Sequence, residues 1–352
     1  MSVLAALELA GATTALVALP LAPALRELLY RADAAPLPTR CDEGDIRSFA
    51  RSFRARIAPA MPLLAEAAER GETLTTLLED GTRALVVGGR GACEGPVPAD
   101  LAMLCASDVY IPAESRFLRE LYVHGKLFAG HDSVFRALLV EGDAELSERA
   151  IVLRWMHAQG RLSAGAHSQF HGRLSADGDI QLALGCRFER VSAKVIVTGM
   201  GNGLPAQTRP VWAPGKSIID QPMGRLRTAG DLHLAAGDGF CGHLISRRSI
   251  RIDEGVQVMG SMKSHGATWL GKGAQVHGAV VSESEVRVAG GCFIRGPLLC
   301  ESDLIIGRNT QIGTPDSPTT VSAPRIQIAS DAVLHGSIWA REHGEVQEQV
   351  QE

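Results

Sequence analysis

Across residues 231–311 an apolar or small residue returns on a six-residue beat: Leu234, Phe240, Ile252, Val258, Leu270, Val276, Val288, Ile294, Cys300, Ile306, and then Ile312. A second set stands two places earlier on the same beat: Leu232, Ile250, Val256, Thr268, Ala274, Val286, Cys292, Leu304 and Thr310. Residues at i and i+2 lie on one side of an extended strand. Such a pair every six residues means short strands separated by regular corners, and three of them make a coil of about eighteen residues. The longer motif apolar-x-Gly-x-apolar does recur at eighteen, at Phe240, Val258, Val276 and Ile294. An α-helix is excluded, because a six-residue period drifts around a 3.6-residue turn and paints no stripe. The pattern therefore predicts an all-β, parallel, triangular β-helix solenoid.

Composition agrees. Aromatic residues are only 5% of the chain and glycines number 38, as a narrow interior and frequent corners require. The formal charge of −4 gives no electrostatic case for nucleic acid. Seven cysteines are scattered without a CxxC pair, so neither a zinc knuckle nor a thioredoxin-type motif is indicated. Cys292 and Cys300 fall at inward positions and read as reduced, apolar fillers.

Residues 2–25 are apolar or small apart from Glu8, and Arg26 and Arg31 follow. That is the pattern of a short transmembrane anchor, expected over 1–27 with the C-terminal side in the cytoplasm. Residues 28–83 are expected to hold a linker and a helix from 45 to about 70, which Pro59 and Pro62 would end early. Arg47, Arg51, Arg54 and Arg56 on it are candidates for contact with a membrane surface. The six-residue beat is expected to run through 84–192, by way of Ile111, Phe117, Val123, Val140, Leu146, Val152, Ala158, Ala164, Phe170, Ala176, Leu182 and Phe188. It breaks over 193–228, read as an irregular insertion, resumes over 229–340, and leaves a fraying polar tail at 341–352.

Ten copies of the glycine motif are present, one of them Cys93-Glu-Gly95-Pro-Val97. The other nine supply the expected corner glycines Gly125, Gly142, Gly160, Gly172, Gly242, Gly260, Gly278, Gly296 and Gly336. They are structural: a side chain would point into a corner, or the corner needs a backbone angle glycine takes easily. His124, His171, His277 and His335 share the place before the glycine, where the alternation points them outward as a surface ladder. Val195-Ile-Val-Thr-Gly199-Met-Gly201-Asn-Gly203 imitates a strand entering a phosphate loop, but Pro205 and Pro210 deny it the following helix. Arg247, Arg248 and Arg251 form a small basic cluster that reads as a solvated corner. Neither a cofactor nor a metal is called for.

The run Val276-His-Gly278-Ala-Val280-Val-Ser282, with Val286-Arg-Val288 and Phe293-Ile294-Arg-Gly296 after it, resembles the bactofilins, bacterial polymer-forming cytoskeletal proteins. The resemblance covers residues 231–338 well and 93–188 more faintly. It implies a right-handed coil, end-to-end self-association and a non-enzymatic scaffold at the inner membrane that docks envelope-synthesis or polysaccharide machinery. The long N-terminal region and the interruption at 193–228 depart from that family's short, continuous cores. The alternative is a trimeric left-handed hexapeptide-repeat enzyme, an acyltransferase or γ-carbonic anhydrase. Ile306-Gly-Arg-Asn-Thr310 and Leu270-Gly-Lys-Gly-Ala274 fit that repeat, whereas Met262, Val280 and Leu298 are bulky where it wants a small residue.

Overall fold

The computed structural model describes residues 9–14, 16, 45–89, 91–92, 101–199 and 218–350, with the side chains of 91–92 and 218–223 outside that set. Residues Ile46–Glu352 form one compact unit. It is a β-solenoid, and every residue named above on the six-residue beat, in both stretches, is buried.

The inward pairs stack with their equivalents one coil on. Leu232, Ile250, Thr268, Val286 and Leu304 lie in register, each eighteen residues after the last. Each coil has three sides. The strand Ile250–Ile252 makes one, Gln257–Met259 the next and Met262–Ser264 the third. Strands are evenly paired in parallel, so each coil hydrogen-bonds to its neighbours and buries its apolar pairs between them.

The solenoid does not wind continuously from end to end. A first half-rod climbs through Arg83–Val87, Ala102–Cys105, Arg116–Val123, Val134–Val140, Ile151–Ala158 and Gln169–Ala176 to Arg187–Thr198, all parallel. The next strand in space is Val333–Gln347, the last in sequence, and it pairs antiparallel. From there a second half-rod runs away through Thr319–Ala329, Leu298–Cys300, Val280–Ser282, Met262–Ser264 and Gly239–Ser246 to Ile218–Thr228. Two edges that both face the C-terminal end of a coil can meet only with their strands antiparallel. The two half-rods therefore join tail to tail. Gly199 lies at the junction and Ile218–Thr228 at the far end, about 34 Å away at 4.8 Å per step. The eighteen intervening residues could reach roughly 60 Å fully extended, so the connection is feasible.

Several expectations are corrected here. Residues 193–198 and 218–228 of the expected insertion are strands of the solenoid; residues 200–217 lie outside the described set. The tail does not fray at 341, because Arg341 to Gln347 complete the final coil and Val346 is fully buried. The helix does not end early: Ser48–Ile57 (α1), a 3-10 turn Ala58–Ala60 and Met61–Arg70 (α2) follow without interruption. Pro59 and Pro62 each stand in the first turn of their segment, where no N–H is needed. A left-handed Gly71 ends α2.

The transmembrane anchor and the inner-membrane location resting on it are not supported. Among the described residues no helix is long and apolar enough to cross a membrane. The long helical stretch from Ser48 to Arg70 carries charge along one side and is amphipathic instead. Of residues 1–27, only 9–14 and 16 are described, and they are helical. The glycine copy at 93–97 also lies outside the described set.

Candidate functional surfaces

The solenoid offers three constructed surfaces: a junction, a helical strap and columns of stacked corners. The junction seals edges that would otherwise be open templates for strand addition. All three sides take part. Val191 faces Ile338 on one side, Phe188 faces Gly344 on another and Ile196 faces Leu334 on the third. Side chains lock the register. Thr198 Oγ1 donates to Ala329 O at 2.7 Å and accepts from the Ala332 N–H at 3.2 Å, wholly buried. Ser337 donates to Ser192 at 3.0 Å, Arg187 pairs with Glu345 at 3.1 Å, and the Arg190 guanidinium lies 4.4 Å over the Trp339 ring. Gly344 is required, because a Cβ there would strike the Phe188 ring.

The strap is α1 and α2 laid along one side of the first half-rod. Outward residues of that side are apolar: Leu104, Tyr122, Leu139 and Trp155 are buried against Phe53, Ile57, Leu64 and the small Ala50, Ala60 and Ala67. Phe53 packs on Trp155 with ring centroids 5.7 Å apart. The close approach is clearest at Gly88, where any Cβ would collide with the Ala67 carbonyl. Sequence alternation misses this layer, although unbroken apolar runs such as Ala102-Met-Leu-Cys105 and Ala137-Leu-Leu-Val140 are the mark of strands buried on both faces.

Three of the four arginines proposed for a membrane surface are turned onto the solenoid. Arg54 makes a bidentate pair with Glu141, both contacts at 2.9 Å. Arg47 reaches Asp177 at 3.1 Å, and Arg56 bridges Asp80 at 3.0 Å and Glu120 at 3.6 Å. Arg51 is exposed but also engaged. The Asp80 carboxyl is held below its usual range, first by the Thr82 N–H and also by Arg56. Burial, with the Glu141 charge nearby, pushes the Tyr122 phenol up to about 12.

Seven of the nine corner glycines form two columns. Gly125, Gly142 and Gly160 stack in the first half-rod; a Cβ at Gly142 would lie 2.7 Å from the Gly125 carbonyl oxygen. Gly242, Gly260, Gly278 and Gly296 stack in the second, where a Cβ on Gly260 would run into the Gly242 carbonyl. Close passage of one backbone over the next explains these positions better than backbone angle does. Gly172, Gly242 and Gly336 add positive φ angles of 118°, 133° and 115°.

The four motif histidines do not form one ladder. His124 and His171 are exposed, and His124 contacts the Tyr122 hydroxyl at 3.1 Å. His277 is half-buried beside Phe293. His335 is buried, 1% exposed, contrary to the surface ladder expected. The junction covers it, and its Nδ1 donates to Lys194 O at 3.3 Å in the tautomer that allows it. A fifth histidine, His157, had no motif to mark it. It sits 3% exposed under the strap, with Nδ1 2.9 Å from Ser175 Oγ and Nε2 3.7 Å from Asp177. Burial lowers its pKa, opposed by Asp177 and reinforced by Arg54 and Arg47.

Among the described residues no group of three or more His, Cys, Asp or Glu is placed to hold a metal. Cys292 and Cys300 are buried, with their thiols donating to Gly271 O at 3.2 Å and Asp303 O at 3.3 Å. Burial pushes the Cys186 thiol up to about 12, which makes it a poor nucleophile. Of the phosphate-loop imitation, Val195 to Thr198 lie in the junction strand and Gly199 follows with φ 88°; Gly201 and Gly203 are outside the described set. Arg247, Arg248 and Arg251 are all exposed.

No family model matches the chain, and no curated protein or solved structure does so either.

Proposed function

We propose that this chain is a bactofilin-like β-helix scaffold: a right-handed, non-catalytic rod that self-associates end to end or docks envelope-synthesis machinery. One observation carries the proposal. The chain already makes one end-to-end rod contact within itself, using backbone pairing on three sides. The same device is available to any coil edge that remains open. At the far end of the second half-rod, Ile218–Thr228 pairs with Gly239–Ser246 along one edge. Its other edge is the candidate for meeting a second copy. At the opposite end Thr73–Leu77 folds back antiparallel on Arg83–Val87, so the first half-rod already wears a terminal strand. Growth is then expected through one end, favouring pairs of rods joined at their Ile218–Thr228 edges over long filaments.

Sedimentation and negative-stain electron microscopy of the full chain over a concentration series test the proposal. Rods of doubled length, lost when Arg225 and Arg227 of the edge strand are replaced by proline, are the expected result. Single-length particles at every concentration would refute self-association.

A further inference from the structure

One side of the second half-rod carries a column of outward side chains in the middle of its strands: His233, Arg251, Trp269 and Arg287. The registers set them directly above one another. At about 4.8 Å per step, Arg251 and Arg287 stand about 10 Å apart with Trp269 between them. Asp253, Glu254 and Lys272 stand at the adjoining corners and, with Arg251, Trp269 and Arg287, line an open groove of about 650 Å³, to which His233 does not contribute.

The chemistry of the groove is mixed and specific. Trp269 is half-buried, so its indole is a supported platform rather than a free surface ring. Arg287 Nε is buried without a hydrogen-bond partner, while Nη2 reaches Glu285 at 3.5 Å. Asp253 accepts from His233 at 2.8 Å and from Arg251 at 3.3 Å. The backbone of these strands is already spent on coil-to-coil pairing, so a peptide cannot be held here by strand addition. Asp253 and Glu254 stand among the groove's cations and offer acceptors for hydroxyl groups, which a sugar chain presents and a DNA backbone lacks.

We propose that this groove binds an extended acidic oligosaccharide. A sugar ring lies on Trp269, its carboxylates meet Arg251 and Arg287, and its hydroxyls donate to Asp253 and Glu254. Guanidinium groups suit carboxylates because they present paired donors in a plane. An aromatic face flanked by polar side chains suits a pyranose, which is apolar on one side and hydroxylated at its rim. The site goes beyond the scaffold proposal and does not depend on self-association.

Calorimetric titration of the full chain with hexamers of galacturonic and of mannuronic acid tests it. The same hexamers with carboxyls reduced to alcohols, and a single-stranded DNA dodecamer, serve as comparators. The expected result is saturable binding of at least one acidic hexamer, with affinity lower by about tenfold or more for its reduced form. Arg251→Ala, Arg287→Ala and Trp269→Ala each weaken it by about tenfold, and Arg119→Ala in the first half-rod leaves it unchanged. Circular dichroism confirms that each variant is folded, and Arg287→Lys and Trp269→Phe replace any variant that is not. Failure of both acidic hexamers to bind, binding indifferent to the groove variants, or equal binding of the DNA would overturn the proposal.

Discussion

The two half-rods share an interior and differ on their outer surface. On the strap side of the first, the outward positions Leu104, Tyr122, Leu139 and Trp155 are apolar and covered by α1 and α2. On the same side of the second, the outward column reads Ile245, Lys263, Val281, Leu299, Ser322 and Trp339. There Leu299 is 36% exposed and Trp339 43%. Coil formation thus follows the inward pair and the corner glycines, and the outward residue decides whether a face receives a cover. The periods differ too. From Leu232 to Leu304 the second half-rod takes four successive steps of eighteen residues, whereas the first drops to seventeen from Leu121 to Leu138 and again from Leu174 to Val191.

This contrast can be broken most forcefully at the strap. Phe53→Ala should cost about 3–5 kcal/mol in chemical denaturation, because it empties a buried site against Trp155. Leu299→Ala, on the uncovered side, should stay within about 0.5 kcal/mol. Similar costs for the two would mean that the strap contributes no packing.

A smaller effect tests what the half-rods have in common. Gly142→Ala and Gly260→Ala should each cost about 1–3 kcal/mol, since both place a methyl group against the coil below. A loss confined to one half would show that the glycine columns are not equivalent. Thr198→Val at the junction should also cost about 1–3 kcal/mol, because it strands the buried Ala329 carbonyl and Ala332 N–H.

The least of the expected effects is one of pH, and in the strapped half it falls on His157. His157 is kept neutral by burial, with Asp177, Glu141, Arg54, Arg47 and Ser175 around it. Its folded pKa lies below the unfolded value near 6.5, so the unfolded chain binds more protons as the pH falls. Stability should therefore be full above about pH 6.5 and decline below it. Hydrogen exchange of α1 and α2 at pH 7.5 and 5.5 should show the decline, and His157→Gln should flatten this contribution. An unchanged profile in the variant would assign the dependence elsewhere.

Most of the solenoid was legible because a strand's alternation and a coil's period are both local. Phe117, Phe170 and Phe188 could be placed inside from spacing alone, and they are buried. The reversal at Arg187–Thr198 was not legible. A coil edge has the same backbone whether its neighbour is the next coil or the last, so residues 191–198 carry no mark of the antiparallel partner. The strap's arginines misled for a related reason. A basic stripe specifies that an acidic surface lies opposite, and Glu120, Glu141 and Asp177 supply it from positions 64 to 130 residues downstream. His335 misled likewise, since the junction that buries it joins distant parts of the chain.

The tail-to-tail junction can be tested with two cysteine pairs in a background whose native cysteines have been replaced. Ser192 and Ser337 face each other across the junction, with their hydroxyls 3.0 Å apart. Mild oxidation of a Ser192→Cys, Ser337→Cys variant should form an intramolecular disulfide in high yield, whereas Ser192→Cys with Arg227→Cys should not. Crosslinking of 192 to 227 without crosslinking to 337 would mean that the chain winds continuously through residue 218, and the two-half-rod architecture would be wrong.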